Sequence, residues 1–257
     1  MTRLPHTSRG FDRAGRSCRY TGGEVPASVR VMRILVLLSI LVLAACSARP
    51  LTEGEKAFAR QIYEDSLDVD RIRLVDGALI GEVTYTRQKR PRLTCRERIY
   101  PEPKIERVTV KPAAFVLFNR VYFSEDWYLH DYLPQYQDQM YLAEAMLFAH
   151  EMAHIWQWQN RDKTGYTPLR AANEHLTQDD PYLFDVDNDT RFLDFAYEQQ
   201  ASIVEEYVCC TALDPTAPRT ARLKELLQQG FPIEALELPE KIVIPWKDAE
   251  LRGICRV

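Results

Sequence analysis

His150, Glu151 and His154 are the residues whose types and spacing point most directly to chemistry. They lie in the run from Tyr141 to Gln159, which holds no Pro or Gly, and Leu142, Met146, Ala149 and Ala153 repeat there with helical periodicity. Positions four apart on a helix share a face, so the imidazoles of His150 and His154 can aim at one point. That point is the size of a metal ion. Zinc accepts imidazole nitrogen at about 2.0–2.1 Å, and its catalytic sites keep three protein ligands with water in the fourth position. Glu151, one residue on from His150, can reach that water without ligating the metal, which gives it the role of general base. With His at roughly 2% and Glu at roughly 6% of positions, the pattern arises by chance in about one chain in a hundred of this length. The competing reading is a helix that merely carries two histidines, but imidazoles turned into a buried face need a partner, and a metal supplies one.

The elements that must hold this helix come from the rest of the chain. Its 257 residues are 46% apolar and 27% charged, enough for one good core, and the net charge of −4 gives no reason to expect a nucleic-acid partner. Phe58, Ile62 and Leu67 predict an amphipathic helix over 51–67. Residues 71–85, broken by Asp76-Gly77, predict a hairpin of short strands. The basic cluster Arg87 to Arg92 reads as a solvated loop. Val108, Val110, Phe115–Phe118 and Val121–Phe123 read as strands immediately upstream of the metal helix. The aromatic stretch 125–138 is a lid over the core or a rim of the substrate cleft.

Met32-Arg33 followed by the apolar Ile34–Ala45 has the layout of a secretory signal and is too short to span a bilayer, which takes about 20 residues. The sequence Leu43-Ala44-Ala45-Cys46 at its end resembles the lipobox of bacterial lipoproteins. That resemblance implies residues 1–45 as an N-terminal extension and lipoprotein signal peptide, with Cys46 as the lipidated first residue of a mature domain, 46–257. Ser47 rather than Asp then favours the outer membrane, facing the periplasm. The alternative is an ordinary cut after Ala45 that releases a soluble periplasmic protein. Cys95, Cys209, Cys210 and Cys255 remain, an even number suited to an oxidising compartment. Adjacent Cys209 and Cys210 are poorly placed to pair with each other, so at least one is expected to pair with Cys95 or Cys255.

Strands followed by a His-Glu-x-x-His helix resemble the zincin metallopeptidases, in which a sheet packs on the active-site helix and an edge strand, here within Ala114–Phe123, runs along the cleft for an extended peptide. The third ligand separates the classes. Gln157 and Asn160 stand where metzincins have Gly and the third His, and Thr164–Pro168 lacks the aspzincin pattern. The remaining arrangement resembles the gluzincins, with a ligand Glu on a second helix. Residues 194–208 are that helix, and Glu198-Gln-Gln-Ala201 matches the Glu-x-x-Ala at the third ligand of several bacterial families. Glu198 is therefore the expected ligand, with Glu205 its main rival and Glu206 and His175 behind. Ser202 departs from the Asp that many gluzincins carry at that position to orient a histidine.

The connection 161–193 reads as polar. The aspartates of Asp185–Asp189 hint at calcium but lack the Gly and Glu of an EF-hand loop, with Thr190 and Ala196 in those places. His175 or Tyr166 is the expected oxyanion stabiliser. A short helix over 219–229 and a last strand over 241–246 complete the chain. The resemblance implies an α+β, zincin-like fold and a Zn²⁺-dependent metallopeptidase that cuts peptide or protein substrates in the periplasm or at the outer membrane, Glu151 activating a zinc-bound water. The alternative is a catalytically silent zinc-binding lipoprotein acting as a binding or assembly scaffold.

Overall fold

Most of the short strands precede residue 142 and the long buried helices follow it, in a mixed α+β arrangement of small sheets and helices. The structure, a computed structural model, describes residues 48–77, 84–186 and 189–256. The signal segment and Cys46 lie outside them, and so do residues 187–188 of the aspartate run. Ser47–Val257 hold together as one compact unit.

The first strand, β1 (Ala48–Arg49), leads into helix α1 (Glu53–Tyr63). Thr52 caps that helix by accepting from the Glu55 amide, and the Glu55 carboxylate accepts in return from the Thr52 amide at 2.8 Å. Glu55 is fully buried and still satisfied, because Arg49 donates to both of its oxygens at 2.8 Å and the Tyr132 amide adds 2.9 Å. Phe58, Ala59 and Ile62 lie on the same face of α1 as Glu55 and turn it into the core.

The main sheet has the order β1-β2-β6-β5, built from β1, β2 (Arg73–Val75), β5 (Ala114–Leu117) and β6 (Arg120–Phe123). β2 runs antiparallel to β1 and parallel to β6, and β6 runs antiparallel to β5. The β5–β6 turn is tight, with Phe118 held at φ 59°. A second pair joins β3 (Tyr85–Gln88) to β4 (Arg107–Val110) in antiparallel register. Residues 78–83 lie outside the described residues, and among those described the hairpin expected over 71–85 is not formed: residues 73–75 pair with β1 and β6, whereas Tyr85 pairs with Val110. Alternation of apolar residues reported strand character there and said nothing about which strand each would meet.

Between β3 and β4 lies a single helical turn, α2 (Cys95–Arg98), capped by Thr94. The 125–138 stretch divides. Tyr132, Leu133 and Tyr136 are buried in the core, while Trp127 is exposed and faces the cleft. β7 (Gln139–Tyr141) then pairs in parallel with β8 (Lys241–Val243), shorter than the strand expected over 241–246.

Helix α3 (Leu142–Gln159) follows directly and is apolar almost all round, as a helix must be when neighbours cover every face. Phe148 packs toward Phe58 and Tyr132, and Trp156 packs between Phe192 and Phe231. The connection 161–193, expected as polar linker, contains two helices: α4 (Arg161–Thr164), closed by Gly165 at φ +66°, and α5 (Pro168–Thr177), capped by Thr167. Helix α6 (Tyr197–Leu213) begins three residues later than expected and lies along α3. Ala196 has no side-chain acceptor for its first turn, and the Glu174 carboxylate from α5 takes the Tyr197 and Glu198 amides at 2.9 and 3.1 Å. Helix α7 (Pro218–Leu227) packs against α6.

Two disulfides fasten α6 to distant chain. Cys95 pairs with Cys209, and Cys210 pairs with Cys255. Successive helix positions point about 100° apart, so neighbouring cysteines reach different partners rather than each other. No helix among the described residues is long and apolar enough to cross a membrane.

Candidate metal centre

The α3–α6 contact brings together three side chains from two turns of one helix and the first turn of the other. His150 Nε2 and His154 Nε2 are 3.3 Å apart, Glu198 Oε2 is 3.3 Å from the first, and 3.4 Å separates it from the second. Ligands at zinc distances on a tetrahedron are about 3.3 Å apart, which follows from a bond length of about 2.05 Å. The donor set, its spacing and its burial therefore fit a tetrahedral divalent metal. All three residues are less than a tenth exposed. Ala201, fully buried one turn beyond Glu198, has the small side chain that close helix approach needs.

Each ligand is oriented by a neighbour. Gln157 Oε1 lies 2.9 Å from His154 Nδ1, which sets the tautomer that leaves Nε2 free to ligate, while the Gln157 amide donates to Tyr197 O and Gln200 Oε1 on the other helix. Glu205 Oε2 lies 3.4 Å from His150 Nδ1, near enough for ion pairing but not aligned for a hydrogen bond, and it also accepts from Arg96 at 2.9 Å. His175 Nε2 sits 2.9 Å from Glu198 Oε1, the oxygen turned away from the imidazoles. Burial pushes the Glu198 carboxyl up, but His154, His150 and His175 outweigh it and hold it well below the usual range. Burial likewise pushes His150 down, and the carboxylates of Glu198 and Glu205 overcome it and raise that imidazole. A metal taking this site would displace those protons.

Of the other expected residues, Glu205 takes a supporting position and Glu206 is spent elsewhere, accepting from the Cys95 amide and from Arg219. Tyr166 is buried, with its ring edge-on to Tyr197. Neither Tyr166 nor His175 lines the cleft in front of Glu151. Tyr182 does, with its ring 5.9 Å from that of His150. No sequence signal marked Tyr182, which folding brings beside His150, whereas Gln157, three residues from His154 on one helix, is marked by spacing alone. A second cluster of potential ligands, Cys95, Cys210 and Cys255, is consumed by the disulfides and offers no thiolate.

Glu151 faces a cleft of about 400 Å³ whose opposite wall comes from β3, α2 and β4. Its Oε2 is buried with no hydrogen-bond partner, and burial pushes its carboxyl up while His150 and His154 oppose the shift. The cluster 87–92, expected as a solvated loop, is instead part of this wall. The Arg87 and Arg90 side chains are 17% and 10% exposed, and Arg90 holds Asp180 through two bonds of 2.6 and 2.7 Å.

No protein-family model and no curated protein matches the chain. Among solved structures it is similar to the effector domain of Pseudomonas aeruginosa VgrG2b, at 24% identity and a TM-score of 0.43, covering 69% of this chain and 80% of that one.

Proposed function

We propose that the chain is a zinc-dependent metallopeptidase of zincin-like fold, with His150, His154 and Glu198 as ligands. The observation that carries this reading is the convergence of three donor atoms within 3.4 Å beside Glu151, a cleft-lining residue whose buried Oε2 has no hydrogen-bond partner among the described residues. Zinc held there would supply Lewis acidity toward the scissile carbonyl and lower the pKa of water. Glu151 takes a proton from the attacking water and passes it to the leaving amine. Tyr182 is the donor we assign to the developing oxyanion, because it shares the cleft with Glu151 and burial keeps its phenol protonated. The extended substrate lies along the cleft between α3 and the segment that leads into edge strand β5.

We place the protein in the bacterial cell envelope, tethered through lipid on Cys46 at the periplasmic side of the outer membrane. Two disulfides suit an oxidising compartment. In cells, Cys46→Ala is expected to move the protein from the membrane fraction to the soluble one; retention in the membrane would remove the lipid anchor.

The function is tested by zinc content and hydrolysis of an unstructured protein, wild type beside Glu151→Gln. One zinc in each and cleavage by the wild type alone supports the peptidase. Zinc with no cleavage by either supports the scaffold, and absence of zinc overturns both.

A further inference from the structure

The wall facing Glu151 carries four arginines, Arg87, Arg90, Arg92 and Arg96, and three carboxylates answer them. Asp180 is held in a two-bond clamp by Arg90, Glu97 is shared by Arg96 at 3.2 Å and Arg90 at 3.7 Å, and Glu205 is taken by Arg96. Among the described residues, Asp180, already occupied, is the one carboxylate Arg87 reaches, at 4.0 Å. Its hydrogen bond goes to the Gln88 carbonyl. Burial and the neighbouring Arg90 charge pull the Arg87 pKa down, the response of a guanidinium short of negative charge. Arg92 donates to the carbonyls of Tyr100 and Arg98 and has no carboxylate within 4.0 Å among the described residues. A chain with a net charge of −4 has thus gathered surplus cation on one side of one cleft. Among the described residues, Arg87 and Arg92 keep N–H donors with no protein acceptor, and the guanidinium fork matches a carboxylate.

We infer that the cleft selects peptides bearing a carboxylate, bound by Arg87 and Arg92 on the wall opposite Glu151. This rests on the peptidase reading. The carboxylate belongs to an Asp or Glu side chain or to the substrate's C-terminus, and the test separates these two sources.

Two quenched peptides identical except for Glu against Gln are scanned across three positions on either side of the scissile bond, each with a free and an amidated C-terminus. The zinc-loaded wild type is expected to cleave one Glu peptide with a kcat/KM about ten to a hundred times that of its Gln partner, the range of a charge-assisted hydrogen bond. Arg87→Gln and Arg92→Gln should each bring that ratio toward one, and Arg92→Lys should keep part of it. Dependence on the free C-terminus in place of the side chain assigns the carboxylate to the chain end. Equal cleavage of all peptides, or a preference that survives both Gln variants, overturns the subsite.

Anisotropy of labelled Glu and Gln peptides on zinc-loaded Glu151→Gln keeps the two readings apart. Tighter binding of the Glu peptide, with no cleavage of any peptide by the wild type, upholds the subsite and overturns the peptidase. Equal binding overturns the subsite.

Discussion

His150 and His154 meet because a helix repeats every 3.6 residues, and any chain helical over that stretch brings them together. Arg90 and Asp180, 90 residues apart, meet only because α5 and the segment after it fold back over the β3–β4 pair. The two sides of the cleft are thus built differently. The side that carries the candidate ligands stands on two long buried helices. The arginine side stands on short strands, one helical turn and a disulfide. Precision of a few tenths of an ångström is needed where bonds to a metal are made, and rigid helices supply it. Selecting a charge tolerates a looser frame.

If that division holds, damage to one side should leave the other readable. The largest effect is expected from Glu151→Gln, which should lower kcat by at least about a thousandfold while zinc content stays at one per chain. Loss of zinc together with activity would mean that Glu151 holds the site together. Next comes the support of the ligands: Gln157→Leu frees His154 Nδ1 and should weaken zinc binding by about ten- to a hundredfold, measured by competition with a chelator. Tyr182→Phe is expected to lower kcat about a hundredfold with little change in KM. A KM effect alone would make it a binding residue.

On the arginine side, replacing Cys95 and Cys209 together by Ser should cost about 2–5 kcal/mol in denaturant unfolding, while the folded protein still binds zinc. Loss of zinc under native conditions would contradict the independence of the two sides. The smallest effect belongs to Asp180→Asn, which should destabilise by about 1–3 kcal/mol at neutral pH. Burial pushes the Asp180 carboxyl up, but Arg90, the Tyr182 amide and Arg87 hold it below its ordinary value. The stabilisation it gives is therefore present above the unfolded pKa and lost on acidification. The gap between wild type and variant should be full above about pH 5 and narrow as pH falls through about 4. A gap that does not depend on pH would show that charge is not the cause.

The same division explains what the sequence made legible. The α3 helix, its two imidazoles and Glu151 were readable because local periodicity fixes them. Glu198 was readable as well, with the small Ala201 beside it, although choosing it over Glu205 needed a resemblance rather than physics. Strand partners were not readable: residues 71–85 alternate like a hairpin, yet Arg73–Val75 and Tyr85 belong to different sheets. Nor was the fate of Arg87 to Arg92, since a basic run looks the same whether water or Asp180 surrounds it. Residues 161–193 looked like linker because α4 and α5 keep so few buried apolar side chains.

Cys209 and Cys210 carry one further consequence. The Cys95–Cys209 bond, between cysteines 114 positions apart, closes a covalent ring that contains His150, His154, Glu151 and Glu198. The Cys210–Cys255 bond closes a second ring beginning at the next residue. A backbone cut anywhere inside either ring leaves a single molecule. A nick in the segment between α5 and α6 is therefore damage without dissociation: His150, His154 and Glu198 stay tethered, and the fragments separate only when reductant opens the ring.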